Sequence, residues 1–197
     1  TLILAPHLAQ LTRKHPHLSI DLLALPRMLH LSRREADIVI SLERPTRGSV
    51  IVSRLSDYSL YLYGQREYLA RKPLVATRED LRHHAFVSYV DDLLFTKELQ
   101  FLDALHQPER FAFRSTSITA QYEAVRAGAG LAVLPAFLAD RDPVLTRVLP
   151  QEGQFTRTFW MSMPSESKHL ARMQVTWAFL RETVAAQQDL LKPQAVR

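Results

Sequence analysis

Helical and extended apolar patterns alternate along this chain from end to end, and that alternation limits its fold more than any other feature. Leu4, Leu8 and Leu11 share one helical face, with Pro6 tolerated in the first turn. Pro16 pushes His15 out of the helical region and stops that helix. Leu18, Ile20 and Leu22 then alternate with Ser19 and Asp21, which predicts a strand over 18–25. A short helix around 29–34 leads into an apolar run at 36–41, which reads as a buried parallel strand. A loop with Pro45 and Gly48 follows, then extended stretches at 51–55 and 59–63.

Thr77 and Asp80 approximate a capping box for a short helix to Arg82. The pattern continues with a strand at 85–90, a helix at 93–106 and a strand at 111–114. Ser115, Thr116 and Ser117 are N-cap candidates for a helix over 118–127, and Gly128 suits the C′ position that ends it. A strand at 131–134 stops at Pro135, and 144–149 and 159–163 are extended. Leu170, Met173, Trp177, Leu180 and Val184 form the stripe of a final helix, with a frayed tail from Lys192. This order predicts an α/β fold with mainly parallel sheets. A helix near residue 3 feeds the strand at 18–25, and a helix near 118 feeds that at 131–134. Two similar lobes of about 100 residues would explain the repeat.

Much chemistry is excluded. The 197 residues contain no cysteine, so disulfides, thiolate metal sites and cysteine nucleophiles drop out. The five glycines form no phosphate-binding loop, and Gly128-Ala-Gly130 follows a helix instead of opening one. His15-x-His17 and His83-His84 lack metal-ligand spacing and read as surface histidines. Asp91-Asp92 reads as a turn-forming loop, and Trp177 and Met173 as core. No metal, cofactor or catalytic constellation is expected, and no apolar run is long enough for a transmembrane helix. The net charge is +5, but the basic residues are scattered and their longest run is Arg33-Arg34, the pattern of a solvated surface.

What remains is a set of short polar residues at predicted helix starts and strand ends: Thr1, Ser41, Ser88, Tyr89 and Ser115 to Ser117. Helix N-termini offer unpaired N–H groups to anions, and open α/β sheets bind ligands outside the carboxyl ends of their strands. Two lobes presenting such ends would hold a small anionic molecule in a cleft.

Three segments carry a family resemblance. Leu4-Ala-Pro-His-Leu-Ala-Gln-Leu with His15-Pro16, Leu31-Ser-Arg-Arg-Glu-Ala-Asp-Ile-Val-Ile-Ser41, and Ala124-Val-Arg-Ala-Gly-Ala-Gly-Leu-Ala-Val-Leu-Pro135 together resemble the effector-binding domain of LysR-type transcriptional regulators. The stretch Phe159-Trp-Met-Ser-Met before the last helix fits the same pattern. The resemblance implies a type 2 periplasmic-binding-protein-like fold of two Rossmann-like lobes joined by two crossover strands, near 60–63 and 159–163. Lobe I would be 1–60 plus 160–197, and lobe II 61–159. It implies a small-molecule effector in the interlobe cleft, lined by Thr1, Leu2, Pro26, Arg27, Ser41, Leu42, Ser88, Tyr89, Ser115, Thr116, Ser117, Leu134 and Pro135. The family often has arginine where Ser41 stands, and Arg27 is a substitute. The resemblance further implies a cytoplasmic, non-enzymatic homodimer or homotetramer, pairing through residues 3–14 and 118–127. DNA would be bound through a winged helix-turn-helix that precedes this domain and is absent from this sequence. The alternatives are an extracytoplasmic solute-binding protein of the same fold, or an enzyme on a two-lobed α/β scaffold.

Overall fold

Among the described residues, Leu8, Leu11, Met161 and Leu180 form one apolar cluster, and Tyr61, Tyr63, Val87, Val125 and Leu134 belong to another. The computed structural model describes residues 1–25 and 35–193. The expected helix around 29–34 and the candidate residues Pro26 and Arg27 lie outside the described residues. Unit one comprises the described residues of Thr1–Ser56 and Thr158–Gln188, and unit two those of Asp57–Arg157 and Asp189–Arg197.

In unit one, helix α1 (Leu4–Lys14) buries Leu8 and Leu11, and it ends at His15 before Pro16 as the sequence predicts. It packs on α5 (Ala171–Ala185), which buries Met173, Leu180, Thr183 and Val184. Leu170 precedes that helix as its N-cap and is 38% exposed, so the predicted stripe starts one residue too early. Strand β1 (Val39–Ser41) pairs antiparallel with β7 (Gln154–Pro164), Ile40 opposite Met161. The buried parallel strand expected at 36–41 is therefore short, antiparallel and half-buried. No strand forms at 18–25. Leu18 and Ile20 still pack against the core, but no described strand lies alongside to complete a ladder. Apolar alternation selects a face; only a partner makes a strand.

Strand β2 (Val50–Gln65) merges the two predicted extended stretches into 16 residues that begin in unit one and end in unit two. Within unit two it pairs antiparallel with β5 (Ala132–Pro135), Tyr61 opposite Leu134, and with β6 (Leu145–Val148), Leu62 opposite Val148. Tyr58 to Tyr63 are all buried, as expected of a strand covered on both faces. Among the described residues, β3 (Phe86–Ser88) pairs parallel with β4 (Phe111–Arg114), and a parallel bridge joins Phe86 to Leu131. The expectation of mainly parallel sheets is corrected on this point, because the long strand β2 runs against its neighbours β5 and β6.

The helix expected at 93–106 is replaced by 3-10 turns at Asp91–Leu93, Lys97–Leu99 and Leu102–Ala104. Thr96 caps the second turn, its Oγ1 accepting from the Glu98 N–H at 3.1 Å. Such a local bond competes with helix propagation. Phe101 and Leu102 are still buried, so the apolar content of the segment goes into the core from turns and not from a helix. Further along, α2 (Arg66–Ala70) follows β2, α4 (Ala136–Ala139) follows β5, and α6 (Gln188–Leu191) closes the described chain.

Helix α3 (Ile118–Arg126) is closed at both ends as the sequence predicts. Ser117 Oγ accepts from the Ala120 N–H at 3.3 Å. At the other end, Ala129 N–H donates to Ala124 O and Gly128 N–H to Val125 O, a Schellman motif with Gly128 at φ +80°. Two residues later, a Cβ on Gly130 would meet the Ala85 carbonyl oxygen at 2.3 Å. The glycine lets Leu131 N–H reach Ala85 O at 2.9 Å and lets Leu131 O accept from Val87 N–H at 2.8 Å. These bonds set β5 beside β3.

His84 enters β3 from the turn Glu79–His83 and is 5% exposed, not on the surface as its sequence context suggests. Its Nε2 donates to the Pro73 carbonyl at 3.2 Å, and among the described residues its buried Nδ1 has no partner. Burial holds its pKa below the ordinary 6.5. The unfolded chain therefore takes up a proton before the folded one does, and stability falls as pH drops through 6.5 toward the lower folded value.

Two stability predictions follow from these contacts. Gly130→Ala should lower unfolding free energy by about 2 kcal/mol or more, read from denaturant midpoints. An unchanged midpoint would show that β5 tolerates a shift away from Ala85. His84→Gln should flatten the acid side of the stability profile, removing a slope of at most about 1.4 kcal/mol per pH unit. Thermal midpoints of the wild type and the variant across that range provide the check.

Candidate functional site

The carboxyl ends of β3, β4 and the strand opened by Leu131 lie side by side in unit two. Ser88 ends β3 with Tyr89 directly after it, Arg114 ends β4 with Ser115 directly after it, and Pro135 ends β5. The loop 115–117 carries the chain from β4 to the start of α3. Its backbone is pinned on three sides. Ser115 N–H donates to Ser88 O at 3.0 Å. Ser115 O accepts from the Gln121 side-chain amide at 2.8 Å, and Gln121 is 1% exposed. Ser115 Oγ accepts from the Ser117 N–H at 3.1 Å.

The hydroxyls of Ser115 and Ser117 thus act as acceptors toward the backbone. A hydroxyl has one proton to donate as well, and accepting an N–H leaves that proton available. The capping role and a ligand role are therefore compatible here, and the caps orient both oxygens. The N–H groups of Ile118 and Thr119 lie in the first turn of α3, where a helix supplies no internal acceptor. Hydroxyl protons and free N–H groups at one helix start favour an anion or a carbonyl oxygen.

Gln65 of β2 fixes the far end of α3, its amide donating to Arg126 O at 2.8 Å. Tyr122 hydroxyl donates to Asp142 at 2.7 Å, and burial followed by that bond pushes its pKa up to about 12. The helix is tied at its start, middle and end.

Leu134 and Pro135 are buried, Leu134 in the apolar core of unit two, so at this edge they contribute shape and not polar contact. Tyr89 is half-buried, and desolvation pushes its hydroxyl up to about 12. It stays a neutral donor at physiological pH.

Residues that the sequence reading missed stand nearby. The Tyr58 ring packs on Phe137 at 5.8 Å between centroids. Burial raises the Tyr58 hydroxyl above its usual range, with further influence from Tyr89, Arg157 and Glu98. Tyr58 carries no local motif in the sequence.

In unit one, Thr1 O accepts from Ala5 N–H at 2.9 Å as α1 begins, and Leu2 is exposed. Ser41 ends β1 and donates its hydroxyl proton to Glu43 O at 2.7 Å, so it differs from the serines of unit two. Leu42 beside it is half-buried. A cation does stand close to Ser41: Arg44 lies 5.4 Å over the ring of Trp160, which is paired with Ser41 across β1 and β7.

Elsewhere unit two has a groove of about 260 Å³ lined by Leu69, Leu74, Val75, Leu149 and Pro150, with Arg147 its charged member. Arg147 is engaged by Asp140, its Nε at 2.9 Å from Oδ1. This groove shares no residue with the strand ends.

Among the described residues, no helix is long and apolar enough to cross a membrane. The model of the LysR substrate binding domain family matches residues 1–185. The Mau operon transcriptional activator of Paracoccus denitrificans is 31% identical over 136 residues, which is 69% of this chain and 44% of that protein. An uncharacterized HTH-type transcriptional regulator of Haemophilus influenzae is 24% identical over 161 residues, 78% of this chain and 55% of that protein. The chain spans about half the length of the curated relatives it matches. The regulatory domain of CrgA, a LysR-type transcriptional regulator from Neisseria meningitidis, matches with a TM-score of 0.75 and 22% identity, over 92% of this chain and 91% of that one. The likeness shows the fold: α/β, of the type 2 periplasmic-binding-protein-like class.

Proposed function

Since the chain belongs to the LysR substrate binding domain family, forming the regulatory, effector-binding domain of a LysR-type regulator, we propose that it senses a small anionic effector at the carboxyl edge of β3 and β4 and the start of α3. One observation carries this reading. The loop 115–117 is locked by four local hydrogen bonds that leave its hydroxyl protons and the first N–H groups of α3 available. Ser88, Tyr89, Thr116, Ser117, Ile118 and Thr119 would contact the effector on this side. Thr1, Leu2, Ser41 and Leu42 in unit one, with Pro26 and Arg27, are the further contacts that the family resemblance supplies.

The sensing mechanism needs no catalysis. An effector can shift a conformational equilibrium only by its difference in affinity between the two states. The rigid loop supplies affinity with little ordering cost, and the bias would act on the arrangement of the two lobes. In the full-length regulator, a cytoplasmic homodimer or homotetramer, that bias would reach DNA through a helix-turn-helix domain outside this sequence.

A thermal-shift screen of metabolites should find a ligand that stabilises the chain saturably. Thr116→Val removes a hydroxyl that caps nothing. It should weaken that ligand about tenfold without moving the ligand-free midpoint. Ser117→Ala should weaken it too, and should also cost about 1 kcal/mol of stability through the lost cap. Full affinity in both variants would place the effector elsewhere.

A further inference from the structure

Residues 71–77 run as a strap between α2 and the turn Glu79–His83. Both ends of the strap are tied down. At its start, Arg71 N–H donates to Tyr68 O at 3.2 Å and Lys72 N–H to Leu69 O at 3.1 Å. At its far end, one carboxylate oxygen of Asp80 accepts from Ala76 N–H at 3.0 Å, from Thr77 N–H at 2.8 Å and from the Thr77 hydroxyl at 3.1 Å. Those bonds hold the Asp80 carboxyl below its ordinary 3.8, so this tie persists through mild acid. Between the ends, among the described residues, the bond from His84 Nε2 to Pro73 O at 3.2 Å is the one hydrogen bond that residues 73–75 make. Pro73, Leu74 and Val75 line the groove of about 260 Å³ together with Val148, Leu149 and Pro150, and Leu74 is 83% exposed.

The imidazole under the strap is built to be neutral. A neutral ring that donates through Nε2 has a bare Nδ1. That atom is buried and has no partner among the described residues, so a second proton would sit there with no acceptor. On one side the His84 ring packs on Tyr68 at 5.7 Å, and Lys72 Nζ lies 6.0 Å over that same tyrosine. Lys72 on the strap and His83 on the turn oppose a positive imidazole, while Asp80 favours one. Arg110 accepts from Phe86 N–H at 3.1 Å through its carbonyl and adds positive charge near Tyr68, and His106 packs on Phe86 at 5.5 Å. The backbone behind the ring is held independently of the strap. His84 N–H donates to Leu81 O at 3.0 Å, Ala85 N–H to the Tyr68 hydroxyl at 3.2 Å, and Ala85 O accepts from Leu131 N–H at 2.9 Å. The middle of the strap can therefore lift while β3 stays in place.

We propose that His84 is an acid-released latch: protonation of its imidazole ends its hold on the Pro73 carbonyl and lets residues 73–75 swing away from the groove, which gives this domain a pH input separate from its effector. The inference stands independently of the strand-end site. With the strap lifted, the imidazolium reaches water and Nδ1–H finds an acceptor there. The open form takes up its proton at the ordinary 6.5, and the closed form only at lower pH, because burial penalises the cation. Acidification between those two values therefore favours the open form, by up to about tenfold for each pH unit.

A pH titration of the 197-residue chain, from about pH 7.5 down to about pH 5, tests the latch by NMR on imidazole nitrogens and on leucine and valine methyls. At the upper end His84 should carry its proton on Nε2. On acidification its ring should titrate below 6.5, and the methyls of Leu74 and Val75 should move with the same midpoint. The methyls of Leu62 and Val133, buried in unit two, should stay where they are. His84→Gln keeps a donor for Pro73 O and does not titrate, so the Leu74 and Val75 methyls should then be insensitive to pH. His83→Gln should retain the wild-type titration. A proton on Nδ1 at the upper end, Leu74 and Val75 methyls that ignore the His84 midpoint, or the same methyl titration in His84→Gln would each overturn the latch. So would its loss in His83→Gln, and so would Leu62 and Val133 moving in step with Leu74, which is global unfolding. The tautomer, the two midpoints and the buried methyls are all read in the wild type, so the test holds even if a variant fails to fold.

Discussion

The bonds that Leu131 makes to Ala85 and Val87 are the constraint on which the candidate site depends. They set the strand beginning at Leu131 beside β3, and β3 in turn carries β4. Three chain segments far apart in sequence then end at one edge. The approach is possible because Gly130 brings no Cβ against the Ala85 carbonyl. Gly128, two residues earlier, turns the chain out of α3 in time to reach that position. A helix start and three strand ends are therefore placed by one turn of five residues, and the pinned loop 115–117 inherits its rigidity from them.

The charged pairs of unit two differ in how firmly they are held. The Arg157–Glu98 pair is partly solvated, and exposed pairs of that kind contribute about 0–1 kcal/mol. The opposite holds for Tyr122 and Asp142, where a 2.7 Å bond and the Arg126 contact at 2.6 Å hold an Asp142 side chain only 7% exposed. That cluster anchors α3, whose first turn carries the candidate site.

Features fixed by neighbours in sequence were legible without a structure. Pro16 ends α1, Ser117 starts α3, Gly128 ends it, and Asp80 gathers the N–H groups of Ala76 and Thr77. Features fixed by partners were not. The strand expected at 18–25 has the right alternation and no ladder, and the strand at 36–41 takes its antiparallel sense from β7. The apolar content of 93–106 suggested a helix, yet the segment forms separate 3-10 turns, one of them capped by Thr96. The serines of the site were visible because helix starts select such residues. Gln121 was not, because its bond to Ser115 O arises from a contact that no local pattern announces. His84 misled for the same reason: beside His83 it looks like surface, and only the Pro73 carbonyl and the burial around β3 make it core.

The central claim is that the effector sits at the start of α3 and the ends of β3 and β4. Amide shifts of the isotope-labelled chain during titration of a ligand found in the thermal-shift screen test it most directly. The account predicts that the largest changes fall on Tyr89, Thr116, Ile118 and Thr119, with little change around Leu74 and Leu149. Largest changes at the Leu74 and Leu149 groove, with the α3 start unmoved, would contradict it.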